Sequence, residues 1–313
     1  MSDEHILDSH GHVPVLMQPV LSLLAAQPGE VMLDATLGRG GHAAAIVPQL
    51  GRGGHYIGLD LDAGNLAAAG DRLRPIAEEA DVRLTLEHAS FADAASVLRR
   101  CGVERVDGLL ADLGFASTQM DDPSRGLTFS GAGPLDMRLN QDQPLTAATL
   151  VNTLSQHDLA DLIYRYGEER LSRRIARKIV EARAESPIET TAALAELVRR
   201  AYGPQGRKSR IDPATRTFMA LRIAVNGELE ALDALLAALP GMLATGGRAV
   251  LISFHSLEDR RVKRAFAGWR EAGEAELLTR KPVVADDAER DANPRSRSAK
   301  LRALRWQGVA GTG

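Results

Sequence analysis

A loop of glycines between two acids contains the residues best suited to chemistry in this 313-residue chain. The apolar run Val31–Asp34 ends in a carboxylate and leads into Gly38-Arg39-Gly40-Gly41-His42, and a second apolar run, His55–Asp60, ends in another acid. Glycines permit positive φ angles and a close approach of the backbone to a ligand. Doubly wound folds place a carboxylate about 20 residues after such a loop, against ribose hydroxyls. The two segments therefore predict a cofactor that contains adenosine.

Two classes of cofactor fit this loop. Gly38-x-Gly40-x-x-Ala43 matches the dinucleotide pattern, with alanine in place of the third glycine. The spacing from Asp34 to Gly40, however, makes the turn wider than the tight one that places a pyrophosphate on a helix N-terminus. A wide loop flanked by acids suits the cationic amino-acid tail of S-adenosylmethionine better, so we expect this cofactor. A dinucleotide dehydrogenase and a purely structural glycine turn remain as alternatives.

The elements that position this loop follow from alternating apolar patterns. Strands are predicted at 31–34, 55–60, 82–87 and 106–112, and helices near 14–25 and at 41–50, 63–79 and 91–100. From Pro213 the pattern resumes with a long helix (214–239), a fifth strand (247–254) and a last helix that begins near His255. This alternation predicts an α/β fold with a doubly wound parallel sheet.

Several candidate site residues follow the carboxyl ends of these strands. Asp112 ends the fourth strand, and His255 follows the fifth, which we expect to be its neighbour in the sheet. His255 would contact a base or a phosphate, or would only precede a capping box at Ser256-x-x-Asp259. Phe91, after the third strand, would lie against adenine or in the core.

The alternation stops between the fourth and fifth strands. Residues 121–144 are rich in glycine and proline, and 145–210 are predicted to be mostly helical. We therefore predict a cofactor-binding domain formed by 1–120 and 212–313, and an inserted helical domain at 121–211.

The net charge of −3 conceals two basic regions. Residues 165–210 contain 12 Arg or Lys against 6 Glu, and residues 290–305 contain six basic side chains against Asp291. A solvated helix face balanced by glutamates would explain the first region taken alone. Two such regions on an acidic protein favour contacts with nucleic-acid phosphates, which salt would weaken.

Composition excludes several other classes of protein. The chain is 44% hydrophobic and 25% charged, as in soluble globular proteins, and no apolar run approaches the ~20 residues of a membrane span. Its acidic N-terminus lacks the features of a signal peptide, and its single cysteine excludes an internal disulfide. We expect a cytoplasmic protein with no membrane partner. Outside His5, His10 and His12 there is no paired Cys or His spacing, so no metal is expected.

Further motifs give the chain a family resemblance. They are Gly38-Arg39-Gly40-Gly41-His42, Gly133-Pro134-Leu135-Asp136-Met137-Arg138, Pro213-Ala214-Thr215-Arg216-Thr217-Phe218, Arg222-Ile223-Ala224-Val225-Asn226, Ser253-Phe254-His255-Ser256-Leu257-Glu258-Asp259-Arg260 and Asn293-Pro294-Arg295. With them the chain resembles, nearly end to end, the bacterial 16S ribosomal RNA (cytosine-N4) methyltransferase family, known as MraW or RsmH. One block departs, because Phe115-Ala116-Ser117-Thr118-Gln119 stands where the family usually has Val-Ser-Ser-Pro-Gln.

The resemblance implies a class I, Rossmann-like methyltransferase fold with an inserted helical domain. It also implies S-adenosylmethionine as methyl donor and a cytidine of the decoding centre as target, within 16S rRNA of the 30S subunit. The family's cofactor positions fall on Gly40, Gly41, His42, Asp60, Phe91, Asp112 and Gln119. His42 and Gln119 depend mainly on the resemblance, since an exposed residue at a helix N-terminus would explain His42 equally well.

The proposed chemistry requires a poor nucleophile to be held in place. Cytosine N4 is conjugated with its ring, so positioning should dominate, and a hydrogen-bond acceptor would suffice in place of a strong base. Asp112, His255 and main-chain carbonyls in 113–117 are the candidate acceptors. The substrate pocket is expected to involve Asp136, Arg138, Arg222 and Asn226, although Arg138 would equally pair with Asp136 and hold its loop. The target must be single-stranded or flipped out, with the basic insertion on the flanking RNA.

Other reactions fit the sequence less well. Methylation at cytosine C5 requires a cysteine nucleophile, yet Cys101 precedes the fourth strand, at the opposite edge of the sheet. DNA amino-methyltransferases place an acid or asparagine before Pro-Pro-aromatic, whereas this chain has Asp112-Leu113-Gly114-Phe115, so DNA is not the expected substrate. An assembly factor that binds S-adenosylmethionine and RNA without methyl transfer remains an alternative. Both a monomer and a homodimer are compatible with the sequence.

Overall fold

The computed structural model describes residues 14–115, 119–120, 122–129, 131–203 and 212–308. Predictions that involve His5, His10, His12 or residues 116–118 lie outside these ranges. The chain divides into two compact units. Unit 1 comprises Met1–Gly114 and Leu229–Gly313, and unit 2 comprises Phe115–Glu228.

One sheet organises unit 1. Its strands are β1 (Val31–Asp34), β2 (His55–Asp60), β3 (Arg83–His88), β4 (Val106–Asp112), β5 (Leu243–Ser253), β6 (Ala275–Leu277) and β7 (Lys300–Trp306). The strand order is β3-β2-β1-β4-β5-β7-β6. Strands β1 to β5 pair in parallel, whereas β7 pairs antiparallel with both β5 and β6. The predicted Rossmann-like fold is confirmed, and so is the pairing of the fourth strand with the fifth.

The α-helices connect these strands and build unit 2. In chain order they are α1 (Met17–Leu24), α2 (Gly41–Leu50), α3 (Ala63–Ala80), α4 (Ala94–Arg100), α5 (Ala147–Thr153), α6 (Gln156–Gly167), α7 (Ser172–Arg183), α8 (Thr191–Tyr202), α9 (Ala214–Asn226), α10 (Glu228–Met242), α11 (Ser256–Glu271) and α12 (Asp287–Ala292). Three of them, α5, α6 and α8, begin with a Ser or Thr side chain that accepts a backbone N–H, which is a favourable N-cap.

Apolar side chains cover both faces of the sheet. Helices α1, α2 and α3 pack on the face that includes Tyr56 and Leu110, through Val20, Val47 and Leu73. The opposite face includes the following buried side chains of strands and of α4, α10 and α11: Leu33, Ile57, Leu109, Leu251, Val97, Leu239 and Val262. Successive residues of a strand point to opposite faces of the sheet. Because helices cover both faces, nearly every residue of a strand is buried, which explains the nearly continuous apolar runs in the sequence.

Unit 2 has a separate apolar core. Its buried side chains include Leu135, Val151, Ile163, Ile175, Leu194 and Leu221, contributed by five helices and the loop that precedes them. The apolar spacing of Ile175 and Ile179 follows the helical repeat, which places both in this core and leaves the arginines of α7 outside it.

The structure breaks the long helix predicted over 214–239. Gly227 adopts φ 59° as the residue after α9, and a left-handed residue at this position ends an α-helix. Helix α9 packs against α6 within unit 2. The second unit therefore extends to Glu228, beyond the predicted boundary at 211, and begins at Phe115, before the predicted boundary at 121.

Smaller differences lie at the ends of elements. The fifth strand begins at Leu243, four residues before its predicted start, and ends at Ser253. The helix predicted from Phe91 begins as a 3-10 turn over Phe91–Asp93 and becomes α-helical at Ala94. Across the described ranges, no helix is long and apolar enough to cross a lipid bilayer.

Candidate active site

The glycine loop connects β1 to α2 and is shaped by its packing. Gly38 and Gly40 adopt φ angles of 55° and 76°, in the left-handed region that favours glycine. A Cβ on Gly40 would lie 3.1 Å from Leu73 Cδ1, and one on Gly41 would lie 2.5 Å from Pro14 Cγ. Close contacts within unit 1 therefore require glycine at positions 40 and 41. The predicted approach of a ligand to the backbone of this loop is a second reason for glycines there.

Asp60, at the carboxyl end of β2, fixes this loop. Its Oδ2 accepts the Gly38 N–H at 2.7 Å, and its Oδ1 accepts the Asp62 N–H at 2.7 Å. Burial raises the pKa of the Asp60 carboxyl, against these hydrogen bonds. Because each carboxylate oxygen accepts up to two hydrogen bonds, the group retains the capacity to accept from ribose hydroxyls.

Carboxylates with limited solvent exposure lie at the ends of the central strands, with Asp34 2% exposed and the Asp112 side chain 24% exposed. Asp34, on β1, accepts the Tyr56 hydroxyl at 2.8 Å, and burial raises the pKa of Asp34 to about 6. Burial, with the charges of Asp34 and Glu258, raises the pKa of Asp112 on β4 to about 8. The Asp112 backbone N–H donates to Thr36 Oγ1 at 2.6 Å, so the end of β4 is tied to the loop that follows β1.

Asp112 has an unused acceptor that a ligand would satisfy. Its Oδ1 is buried and forms no hydrogen bond with any described residue. Within the described chain, neither Asp112 nor Asp34 forms an ion pair with a Lys or Arg. A buried carboxylate normally requires a hydrogen bond or a compensating charge. The cationic amino-acid tail of S-adenosylmethionine fits this requirement.

His42 lies beside Asp112 in the first turn of α2 and is only 7% exposed. Its Nε2 lies 3.0 Å from the Val15 carbonyl oxygen, so Nε2 bears the hydrogen and Nδ1 has the lone pair. Burial lowers the pKa of His42 to about 4. The ring is thus neutral at neutral pH, with Nδ1 3.8 Å from Asp112 Oδ2. The alternative of an exposed helix residue is wrong.

His255 is the N-cap of α11. Its Nδ1 accepts the Glu258 N–H at 3.4 Å, and Glu258 Oε2 accepts the His255 N–H at 3.2 Å. This reciprocal pair is a capping box one residue earlier than the predicted one at Ser256-x-x-Asp259. Because Nδ1 is an acceptor here, the ring hydrogen lies on Nε2. His255 Nε2 has no hydrogen-bond partner among the described residues, and a catalytic role of His255 stays a prediction.

Glu258 is a buried carboxylate that the sequence analysis missed as a site residue. It is 3% exposed, accepts the Phe254 N–H at 2.8 Å, and its negative charge contributes to the raised pKa of Asp112. Its Oε1 lies 3.2 Å from His255 Nε2, but without the alignment of a hydrogen bond. The sequence signal that could have identified Glu258 is its position three residues after His255, the histidine that follows the fifth strand.

Phe91 and Gln119 lie in different units. Phe91 begins the 3-10 turn after β3 and packs, partly exposed, against the side of the core that includes Val97. Gln119 is buried in unit 2. Contact of either side chain with the cofactor remains a prediction.

The loop residues of unit 2 are engaged with one another. Arg138 donates to Asp136 through Nε at 2.9 Å and Nη2 at 2.7 Å, and its Nη1 donates to the Gln143 carbonyl at 2.7 Å. Burial tends to raise the pKa of Asp136, but the Arg138 hydrogen bonds outweigh it and lower that pKa. The geometry supports the alternative that Arg138 pairs with Asp136 and holds the loop.

Two residues of α9 hold this region from the other side. Asn226 accepts the Leu139 N–H and donates to the Met137 carbonyl, each at 2.8 Å. Arg222 donates to both carboxylate oxygens of Glu228, at 2.7 and 2.8 Å, and its guanidinium carbon lies 4.7 Å from the centre of the Phe115 ring. Both residues stabilise unit 2, and direct contact with a substrate stays a prediction.

The second basic region predicted from the sequence, 290–305, is largely ion-paired. Arg302 is buried with its Nε 2.7 Å from Asp259 Oδ1, and Arg305 Nη1 lies 3.3 Å from Glu276. Arg290 Nη1 lies 3.0 Å from Asp287. Acids outside the segment neutralise these three side chains, and contact of the segment with nucleic-acid phosphates stays a prediction.

Sequence comparison decides the family. Residues 9–307 match the model of the MraW methylase family. The chain belongs to that family. It is 52% identical over 299 residues to the ribosomal RNA small subunit methyltransferase H of Sorangium cellulosum, with 96% of this chain and 92% of that protein covered. The protein of the same name from Koribacter versatilis is 49% identical over 304 residues, with 96% and 95% covered.

Membership of the MraW family gives the site its chemistry. The chain is an S-adenosylmethionine-dependent methyltransferase. In this MraW protein the glycine loop, Asp60 and Asp112 come together at the carboxyl ends of β1, β2 and β4, where doubly wound sheets bind ligands. The donor and acceptor groups of unit 1 thus match the cofactor that the loop predicts.

Proposed function

We propose that this enzyme methylates the exocyclic N4 of a specific cytidine in 16S rRNA, at the decoding centre of the 30S subunit, in the cytoplasm. The relatives named as small-subunit rRNA methyltransferases support the class of substrate. The sequence blocks shared with the cytosine-N4 family support the target atom. The observation on which the proposal depends most is the buried Asp112 Oδ1, an acceptor with no partner among the described residues.

The chain must align a weak nucleophile. S-adenosylmethionine supplies a methyl group on a positively charged sulfur. The N4 lone pair is delocalised into the cytosine ring, so the enzyme gains most by holding N4 in line with the methyl carbon. The N4–C bond forms as the S–C bond breaks, and the N4 centre then loses a proton to an acceptor or to water.

Asp112 is the residue best placed to orient and accept. Its pKa of about 8 makes it largely protonated at neutral pH before a cation binds. A bound positive charge lowers that pKa and favours the carboxylate. An ionised Oδ1 would accept a hydrogen bond from the N4 amino group or from the cationic tail. His42 stays neutral beside it and leaves the negative charge on Asp112.

The test is a direct assay of product. Purified protein is incubated with labelled S-adenosylmethionine and 30S subunits that lack decoding-centre methylation, and the digested rRNA is analysed by mass spectrometry. N4-methylcytidine is the expected product. Cofactor binding without methyl transfer to competent subunits would instead favour an assembly factor and contradict the proposal.

A further inference from the structure

Four exposed arginines lie at one end of the α6–α7 helix pair in unit 2. We call Arg165, Arg170, Arg173 and Arg174 the arginine face. Helices α6 and α7 pack against each other and are joined by only residues 168–171, so the end of α6 and the start of α7 are neighbours. None of the four forms an ion pair with any residue in the described ranges. The next basic side chains along α7, Arg177 and Lys178, instead lie near Glu181.

Helix stability does not explain this concentration of charge. Arg173 and Arg174 lie in the first turn of α7, which contains no acidic residue. The N-terminal end of a helix has a partial positive charge, so cations there are unfavourable by about 0.3–1 kcal/mol each. An anionic partner would remove this penalty and the mutual repulsion of the arginines.

The connection beneath the arginine face is fixed by a buried carboxylate. Glu169 is 1% exposed, and it accepts the Tyr202 hydroxyl at 2.5 Å and the Leu171 N–H at 2.8 Å. Burial raises the pKa of Tyr202 to about 12, so its hydroxyl remains a donor. The turn that bears Arg170 is therefore anchored to the end of α8, which reduces the ordering cost of binding.

An exposed aromatic ring lies next to these charges. Tyr164 is 62% exposed and lies in the last turn of α6 together with Arg165, whose guanidinium carbon lies 5.2 Å from the centre of the Tyr166 ring. Proteins that bind single-stranded RNA combine cations along the phosphates with aromatic rings that stack on bases. This pairing favours RNA over an acidic protein surface.

We propose that the arginine face binds phosphates of a single-stranded segment of the substrate rRNA, and that Tyr164 stacks on one of its bases. The proposal rests on the proposed function, because it assumes that rRNA is the substrate. It names a docking surface on unit 2 that is separate from the cofactor-binding groups of unit 1.

The first experiment removes two charges and measures salt dependence. We expect Arg173→Ala/Arg174→Ala to weaken binding to 30S subunits about tenfold at low salt, and to reduce the slope of log affinity against log salt by about 1.4. The KM for subunits should rise, while kcat and cofactor affinity stay within about twofold. The matched control is Arg100→Ala/Arg200→Ala, which removes two exposed arginines paired with Glu87 and Glu196 and should retain the wild-type slope.

The second experiment separates stacking from charge. Tyr164→Ala should weaken binding without changing the salt slope, and Tyr164→Phe should bind as the wild type does. If Arg173→Ala/Arg174→Ala melts earlier than the wild type, Arg165→Gln/Arg170→Gln tests the same face, with Arg170 outside the helices.

The outcomes distinguish this proposal from the proposed function. A wild type that methylates subunits while both arginine variants retain its slope and KM would overturn the arginine face. The same follows if the variants lose affinity for subunits but not for protein-free 16S rRNA, since the face would then bind a ribosomal protein. The wild type could instead bind rRNA without methyl transfer while the arginine variants show reduced salt slopes. That result would overturn the proposed function but support RNA binding by the arginine face.

Discussion

Residues 290–305 and the arginine face are both dense in positive charge, but they differ in what neutralises it. In the C-terminal segment, Arg302 and Lys300 lie 2.7 and 3.6 Å from Asp259, and Arg305 lies 3.3 Å from Glu276. The arginine face has no such ion pair within the described residues. The same distinction separates two acids of unit 1, Asp259 and Asp112. Charges paired within the chain should govern stability, and charges left unpaired should govern binding and catalysis.

The largest effect is expected at Asp112, the unpaired acid. Asp112→Asn keeps the size of the side chain but removes the anionic acceptor, and we expect kcat to fall about 10²–10³-fold. The apoprotein should be at least as stable as the wild type, since burial of this carboxyl is unfavourable. Single-turnover rates and urea unfolding measure the two effects. Full activity in the variant would contradict the distinction between paired and unpaired charges.

Arg302 should show the opposite behaviour. Arg302→Ala leaves the partly buried Asp259 with only the more distant Lys300, so we expect a loss of about 2 kcal/mol in the free energy of unfolding. Burial tends to raise the pKa of Asp259, but Arg302 outweighs it and lowers that pKa. This contribution is therefore present above the unfolded pKa of Asp259 and is lost as pH falls through its folded pKa. Arg297→Ala, at an exposed position of the same segment, should change stability by less than about 0.5 kcal/mol.

The pH dependence of cofactor binding sharpens the comparison further. The folded pKa of Asp112, about 8, lies above its unfolded value, so stability of the cofactor-free protein should fall as pH rises from about 4 to about 8. If the cation requires ionised Asp112, its affinity should rise up to about tenfold per pH unit over pH 6 to 8. Calorimetric titration of S-adenosylmethionine measures this slope. The pH dependence of the affinity should vanish in Asp112→Asn. A wild-type affinity that does not change with pH would show that cofactor binding does not require ionised Asp112.

The smallest effect is expected beneath the arginine face. Tyr202→Phe removes the hydroxyl that Glu169 accepts, and we expect a loss of about 1–2 kcal/mol in stability. Affinity for rRNA should fall about two- to threefold through weaker positioning of the turn, with an unchanged salt slope. A reduced slope would mean that the hydroxyl affects the number of phosphate contacts.

Local patterns predict the strands better than the ends of the inserted unit. β1, β2 and β4 have the predicted bounds because apolar runs that end in an acid leave little choice of register. The sequence does not reveal the break at Gly227, because the apolar helical repeat continues on both sides of it. Contacts between residues distant in the chain, such as those between α9 and α6, decide this boundary. The local spacing of apolar residues does not predict such contacts.

The same limit applies to the site. Acids at strand ends predict Asp60 and Asp112, since parallel strands bring their carboxyl ends together. Ion pairing within 290–305 is not predicted, because Asp259 is 43 residues from Arg302 in sequence. For His255 the sequence favours chemistry and capping equally, and only the position of the Glu258 N–H distinguishes the two.

The contacts around Val15 and Leu16 have a consequence for the order in which the protein is made. Val15 supports the ring of His42, while the Leu16 N–H donates to Glu289, 273 residues later in the chain. At about 5–20 residues per second, the ribosome completes this partner some tens of seconds after the glycine loop has emerged. Unit 2 is synthesised in that interval and has a core of its own. The helices of unit 2 are thus synthesised before the contacts around the cofactor loop are complete.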